Sequence, residues 1–305
     1  MFYTARGYFF LIRDEVTIYK LCKLHFIQQL VRTHCYINCH TMLLKVAIFA
    51  SLAILTAKAF PQGGQLDTAN WKVIGGELAK EGQFPYQVAI FENLIGKLYY
   101  LCSGTILSSK YVLTSTSCII GQWPTITIVR TGVIDLEKNS TRGQDYRSWT
   151  LITHPNFEHQ NHTNDIGIIE LEGELELNEH VQPIKLPPGM EEVVENTTCR
   201  IAGWGGLNDP NPDNELRFVD LPVVSDRSCG NSYARENQTI LPAMLCAGTS
   251  GRDLCWGDNG GPLTCADGIV HGIATRGSKC NLSGFPAIFA QVSHYRDFIY
   301  EHTGL

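Results

Sequence analysis

From Val73 onward the chain consists of short apolar runs separated by Gly, Pro, Asn and Asp. The clearest runs are 86–90, 111–114, 126–129 and 166–169. Their length and their β-branched residues are typical of strands, and their spacing is that of a β-sandwich or β-barrel. Since 44% of the 305 residues are hydrophobic, the chain can form an ordinary core, which excludes disorder, collagen and coiled coil. The sequence therefore predicts an all-β fold.

One helical stripe lies at the end of the chain. Val292, Tyr295, Phe298 and Ile299 recur at helical spacing between polar residues, which predicts a terminal helix packed on a β core. Residues 73–305 contain no internal repeat or long linker, and their number is sufficient for two small barrels in one compact unit.

The distribution of charge bears on possible partners. Eight of the 24 basic residues but only three of the 30 acidic residues precede residue 73, so residues 73–305 carry a formal charge of −11. A body this acidic lacks the basic surface that phosphate backbones and anionic membranes attract. The sequence therefore argues against nucleic acid as a partner and against stable membrane insertion.

The first 72 residues contain an export signal behind a second possible start, Met42. Lys45 supplies the charged flank, 46–57 is an apolar run, and 57–59 (AKA) is a small-x-small cleavage site. The run has 12 residues, whereas a bilayer span needs about 20. We expect residues 42–59 to be a signal peptide, 60–72 a short propeptide and 1–41 an over-extended start. If Met1 is the true start, the run is internal and its cleavage stays open.

The cysteines and glycosylation motifs also indicate a secreted, extracellular protein. Cys22, Cys35 and Cys39 precede Met42, and the other eight of the eleven cysteines have the even parity expected of disulfides. Asn-x-Ser/Thr motifs suit a glycosylating route, and we expect about half of them to be occupied. They lie at Asn139, Asn161, Asn196, Asn237 and Asn281.

Five motifs follow one another in an informative order. They are 72–76 (KVIGG), 113–118 (LTSTSC), 164–167 (NDIG), 203–205 (GWG) and 257–262 (GDNGGP). With the eight cysteines, they closely resemble the trypsin-like (chymotrypsin-fold) serine proteases, peptidase family S1, over essentially all of residues 73–305. The resemblance implies two six-stranded antiparallel β-barrels with a cleft between them and a C-terminal α-helix. It also implies the disulfides Cys102–Cys118, Cys199–Cys265, Cys229–Cys246 and Cys255–Cys280, a pairing that cysteine counting leaves open.

Two residues of the family's catalytic triad are replaced. Ser117 stands where the family has its general-base histidine and Asn259 where it has its nucleophilic serine, while the aspartate remains as Asp165. The chemistry needs a hydroxyl that can be deprotonated and an imidazole that takes and returns the proton. An Asn carboxamide is a poor nucleophile, and a Ser hydroxyl is neither acid nor base near pH 7. We therefore expect no active catalytic residue at these three positions.

Two other histidines lie near the motif of Asp165. His154, in 153–157 (THPNF), resembles a structural turn residue of the family. His162 lies three residues before Asp165 in the loop that borders the family's cleft, where it could lie near a bound ligand. A relocated base would still have no nucleophile to activate. Asp165 then becomes a buried carboxylate that needs donors, and Ser117 can offer one hydroxyl.

The resemblance also maps a ligand pocket onto the chain. Its positions are Asp253, Trp256, Gly257, Thr275, Arg276, Gly277 and Ala287. Asp253 matches the acidic residue at the base of the trypsin-type pocket, which receives Arg or Lys. Gly277 matches the glycine at the pocket entrance, and Gly257 matches an amide of the oxyanion hole.

Two replacements oppose intact recognition in this pocket. Arg276 occupies the place of a tryptophan that walls the cleft, and Ala287 that of a pocket-lining glycine. Asp253 therefore either binds a cation or is satisfied by water or by Arg276. Trp256 either grips a partner at the rim or caps the cleft.

The resemblance further implies activation by cleavage after Lys72. The freed Val73 ammonium would then pair with Asp258; alternatively, Lys72 is merely the end of a leader. In the family's calcium loop, Val133 and Gly143 stand where two glutamates supply oxygens. We expect no metal and no cofactor.

These observations favour a secreted, catalytically inactive protease homologue. It would act as a monomer that binds an active protease, an inhibitor or another extracellular ligand, as regulator, cofactor or decoy. The alternatives are a weakly active hydrolase or esterase with a rewired site, and a glycosylated structural protein without a specific site.

Overall fold

The computed structural model describes residues 76–137, 143–205, 214–234, 238–248, 258–276 and 285–305. All of them belong to the second of two compact units, Thr68–Leu305. The expected signal peptide and propeptide lie outside the described residues.

Six strands close into a first antiparallel barrel, after a short opening strand β1 (Glu77–Leu78). The six are β2 (Gln87–Leu94), β3 (Lys97–Ile106), β4 (Tyr111–Thr114), β5 (Thr127–Thr131), β6 (Gln144–Thr153) and β7 (Gly167–Leu171). Their order around the barrel is β2-β3-β4-β7-β6-β5, and β5 pairs with β2 to close it. Ile95 and Gly96 join β2 to β3, both with positive φ (53° and 81°), as a tight two-residue hairpin turn requires.

Six further strands close into a second antiparallel barrel. They are β8 (Thr198–Gly203), β9 (Arg217–Val224), β10 (Met244–Ala247), β11 (Pro262–Cys265), β12 (Val270–Arg276) and β13 (Ala287–Gln291). Their order is β9-β10-β13-β12-β11-β8, and the pairing of β8 with β9 closes the ring. β1 adds to the outside of this barrel by pairing with β9. The fold expected from the resemblance is therefore confirmed.

Each barrel is filled by its own apolar residues, and a third cluster joins the two. This third cluster includes the side chains of Leu113 and Ile168 from the first barrel and of Ile273 from the second. Phe298 and Ile299 of the terminal helix pack in the same cluster. Burial of this apolar area stabilises the contact between the two barrels. The shared core therefore holds the residues between the barrels in defined positions.

The α-helices of the described residues are short. They are α1 (Thr116–Ile119), α2 (Asp226–Tyr233) and α3 (Arg296–Thr303). The predicted terminal stripe is buried as expected, but it begins in a 3₁₀ turn, Val292–Tyr295, before α3. In the described residues, no helix has the length and hydropathy needed to cross a membrane.

Three of the four implied disulfides are present. Cys102–Cys118 joins β3 to α1, Cys199–Cys265 joins β8 to β11, and Cys229–Cys246 joins α2 to β10. Cys255 and Cys280 lie outside the described residues. The first bond matters most for the site, because it ties α1 to the barrel wall directly after Ser117.

Candidate functional site

Ser117, on α1, binds the buried carboxylate of Asp165 twice. Its backbone amide donates to Oδ1 at 2.7 Å, and its hydroxyl donates to Oδ2 at 2.8 Å. The Asp165 side chain is fully buried, so its charge depends on donors of this kind. The sequence predicted the hydroxyl contact but not the amide contact.

Thr116 holds α1 in place for these contacts. Its hydroxyl donates to the carbonyl oxygen of Ile166 at 2.5 Å and accepts a hydrogen bond from the His154 amide at 3.0 Å. Both partners flank the loop that carries Asp165. The short helix and the loop are therefore connected through the residue before Ser117.

His162 supplies a third contact to the same carboxylate. Its Nδ1 lies 3.1 Å from Asp165 Oδ2. Because a carboxylate only accepts, Nδ1 donates the proton in this hydrogen bond. The imidazole side chain is 22% exposed, so it lies at the edge of the site rather than in the core. His162 thus brings an imidazole to Asp165 from the loop that precedes it.

Two hydroxyl groups lie near the Asp165 carboxylate, those of Ser117 and Ser115. The Ser117 hydroxyl donates directly to the carboxylate, with no imidazole between them. Ser115 Oγ lies 3.1 Å from Ser117 Oγ, so a second hydroxyl faces the first. A carboxylate is a weak base near pH 7 and does not deprotonate a hydroxyl. The two hydroxyls therefore stabilise a buried charge, and the carboxylate does not turn either of them into a nucleophile.

Tyr295 lies beside this charge. Its hydroxyl donates to Asn164 Oδ1 at 3.3 Å. Burial, together with the negative charge of Asp165, raises the pKa of Tyr295 to about 12. The phenol therefore stays neutral at physiological pH and provides no second charge near Asp165.

Asn259 lies in the turn that precedes β11, and this turn packs against the first barrel. Its carbonyl oxygen accepts a hydrogen bond from the Ser103 amide at 2.9 Å. Gly260 has φ of 79°, and a Cβ there would collide with Thr114 Oγ1 and with the Ser103 carbonyl oxygen. The same Cβ would lie 3.3 Å from Cys118 Sγ, next to Ser117. The turn of Asn259 and the helix of Ser117 are therefore brought together between the barrels.

Asp258, the expected partner of the Val73 ammonium, is fully buried. Its Oδ1 accepts a hydrogen bond from the Gly205 amide at 3.1 Å, and a Cβ on Gly203 would collide with the same oxygen. Burial, with the Asp258 charge, raises the pKa of Tyr100, whose hydroxyl lies 3.0 Å from Ser103 Oγ. Lys72 and Val73 lie outside the described residues.

Only part of the predicted ligand pocket is described. Thr275 is buried and donates its hydroxyl to the Ile288 carbonyl at 3.0 Å. Ala287 is fully buried, and Arg276 is the last residue of β12. Asp253, Trp256, Gly257 and Gly277 lie outside the described residues.

The remaining predicted positions have simple environments. The His154 ring packs on Phe298 and Tyr295, with centroids 4.8 Å and 5.6 Å away, which suits a structural turn residue. Asn161 and Asn196 are exposed. The other three glycosylation motifs, at Asn139, Asn237 and Asn281, lie outside the described residues. Where the structure describes the chain, no three His, Cys, Asp or Glu side chains converge as metal ligands.

The contacts that join the two halves of the site were missed by the sequence reasoning. Thr114 Oγ1 donates to the Ser103 carbonyl at 2.9 Å, and both atoms bound the space beside Gly260. Their only signal in the sequence is position, since Thr114 lies within the motif 113–118 and Ser103 follows Cys102. Hydroxyls of this kind are too common in strands to single out without the tertiary contacts.

Comparison with known proteins places these residues in a family context. The model of the Trypsin family matches residues 73–299. Phenoloxidase-activating factor 3 of Holotrichia diomphalia is 32% identical over 256 residues, which cover 77% of this chain and 73% of that protein. Trypsin-1 of Astacus astacus is 32% identical over 236 residues, covering 74% and 98%. Kallikrein-14 of Homo sapiens is 32% identical over 235 residues, covering 75% and 84%.

Proposed function

The chain belongs to the trypsin family, and we propose that it is a secreted, non-catalytic member that acts by binding. Its target is a protein: an active protease, an inhibitor or another extracellular ligand. The observation that carries the proposal is the double hydrogen bond from Ser117 to Asp165, in the place where the family positions an imidazole.

The size of the catalytic loss supports this proposal. In serine hydrolases, loss of either the nucleophile or the base lowers turnover by about 10⁶-fold, and loss of both costs little more. Oxyanion stabilisation and binding retain about 10³ to 10⁴-fold over water. Both groups are replaced here, by Ser117 and Asn259. The fold is intact although both reacting groups are replaced. Such a protein can still bind another protein even though it does not cleave it.

Extracellular localisation is part of the proposal. Three disulfides in a domain of this size are typical of oxidising compartments, and the apolar run 46–57 fits a signal peptide. Processing after Lys72 would free the Val73 ammonium for the buried Asp258. We propose that this processing precedes binding by the protein.

Restoration of the lost groups tests the inactive state within the same chain. The secreted protein, cleaved after Lys72, is assayed against amide substrates with Arg or Lys before the scissile bond. We expect no turnover from the wild type, and turnover from the double variant Ser117→His, Asn259→Ser. Each single variant should stay inactive, because the reacting groups act as a unit. Wild-type turnover that disappears in Asp253→Asn would overturn the proposal.

A weak esterase is the second candidate, and the contact between His162 and Asp165 favours it. An imidazole oriented by a carboxylate can activate a water molecule, and an ester needs less help than an amide. Saturable ester turnover that is lost in His162→Gln but kept in His159→Gln would support this alternative. Equal rates in the wild type and both variants would exclude it.

A further inference from the structure

The loop 158–163 lies directly beside the Asp165 carboxylate and ends in a glycosylation motif. Glu158 and Thr163 pair as an antiparallel bridge, with the Glu158 amide donating to the Thr163 carbonyl at 3.0 Å. This pair closes the loop at its base, so residues 159–162 form its tip. Asn161, His162 and Thr163 are the three residues of the motif.

The tip is ordered by contacts that leave Asn161 outside. The His162 ring packs against His159 and Phe157, with centroids 6.1 Å and 6.4 Å away. His162 has φ of 52°, a left-handed conformation that reverses the chain next to Asn161. Asn161 itself is exposed. Asn161 is therefore accessible for modification.

We propose that Asn161 carries an N-linked glycan and that this glycan restricts access to the cleft around Asp165. The adjacent residue contacts the carboxylate through its ring, and consecutive Cα atoms are only about 3.8 Å apart. A bulky, hydrophilic oligosaccharide rooted there must stand over the edge of the site. A short extended peptide can pass beside it, whereas the broad face of a folded protein cannot.

This inference rests on the proposed binding function and narrows the partner class. The expected partner presents a single extended segment or a protruding loop to the cleft. A partner with a broad, flat contact surface is excluded while the glycan is present.

Asn196 offers a matched control within the same chain. It is also exposed and belongs to an Asn-x-Thr motif, but it lies before β8 in the second barrel. Its backbone amide donates to the Val223 carbonyl of β9 at 2.9 Å, which holds it against the second barrel. A glycan there should have no effect on the site of Asp165.

The test measures both occupancy and access. The full chain is secreted from insect cells, and glycopeptide mass spectrometry reports on Asn161 and Asn196. An Asn259→Cys variant, with one free thiol verified by titration, is then labelled with N-ethylmaleimide and with a 5-kDa polyethylene glycol maleimide. The labelling rates of three proteins are compared in this background: the parent, Thr163→Ala and Asn196→Gln. Thr163→Ala removes the glycosylation motif but keeps Asn161.

We expect Asn161 to be occupied and the polymer reagent to react at least about fivefold more slowly in the parent than in Thr163→Ala. N-ethylmaleimide should react equally in both, and Asn196→Gln should match the parent. An unmodified Asn161, or a polymer rate that Thr163→Ala leaves unchanged, overturns the inference. Peptide cleavage by the wild type would refute the proposed function but not this result, so the two failures are distinguishable.

Discussion

Replacement of Ser117 by alanine should destabilise the protein through the Asp165 carboxylate. The variant loses the hydroxyl donor at 2.8 Å but keeps the backbone amide at 2.7 Å and the His162 contact at 3.1 Å. A hydrogen bond to a buried charged group contributes about 1.5–3 kcal/mol, so we expect a loss of about 2 kcal/mol in the free energy of unfolding. For a domain of this size, this corresponds to a fall of about 4–8 °C in Tm.

The measurement is equilibrium urea unfolding, followed by tryptophan fluorescence with disulfides intact. Ser109→Ala is the matched control, because its hydroxyl contacts the exposed Glu174 carboxylate at 3.4 Å and should contribute less than about 0.5 kcal/mol. In an Asp165→Asn background, the cost of Ser117→Ala should fall below about 1 kcal/mol, since the charge is gone. Equal losses in the two single variants, or an undiminished cost in the Asp165→Asn background, would refute the reasoning.

Three further predictions test the surroundings of the site. Gly260→Ala should lower the free energy of unfolding by more than about 3 kcal/mol, because φ is positive there and the new Cβ would collide with its neighbours. Gly268→Ala, where φ is 75° but the space around the Cβ is open, should lower it by only about 1 kcal/mol, as measured by thermal unfolding. Burial lowers the pKa of His154 below its usual 6.5, so as the pH drops below about 6.5 the unfolded protein binds more protons than the folded protein. The free energy of unfolding in urea should therefore fall as the pH drops through this range, and less so in His154→Gln. The pKa of Tyr295 is raised from 10.0 to about 12, so between these pH values the folded form binds more protons than the unfolded form. The free energy of unfolding should therefore fall as the pH rises through this range in the wild type, and less so in Tyr295→Phe.

The fold could be predicted because its signals are local and repeated. Short β-branched runs such as 111–114 and 166–169 became β4 and β7, whose burial follows from their apolar side chains. The prediction that the apolar residues of the terminal helical stripe are buried was also correct. Its division into a 3₁₀ turn and α3 was not predictable, because both use similar spacing of apolar residues.

The site could be predicted only where a motif marked it. The resemblance assigned Ser117, Asp165 and Asn259 to one cleft, and the residue types led to the prediction, still to be tested, that nucleophile and base are missing. The contact of His162 Nδ1 with Asp165 needed the course of the loop 158–163, which no motif specifies. A buried carboxylate must find donors, but the sequence does not say which neighbour turns toward it.

The most direct test of binding without cleavage follows one peptide through both events. The protein cleaved after Lys72 is titrated calorimetrically with an extended peptide that carries a central arginine, and the same sample is then analysed by mass spectrometry. We expect saturable binding that is lost in Asp253→Asn, with the peptide recovered intact after prolonged incubation. Cleavage at the arginine that grows with time and disappears in Asp253→Asn would contradict the account.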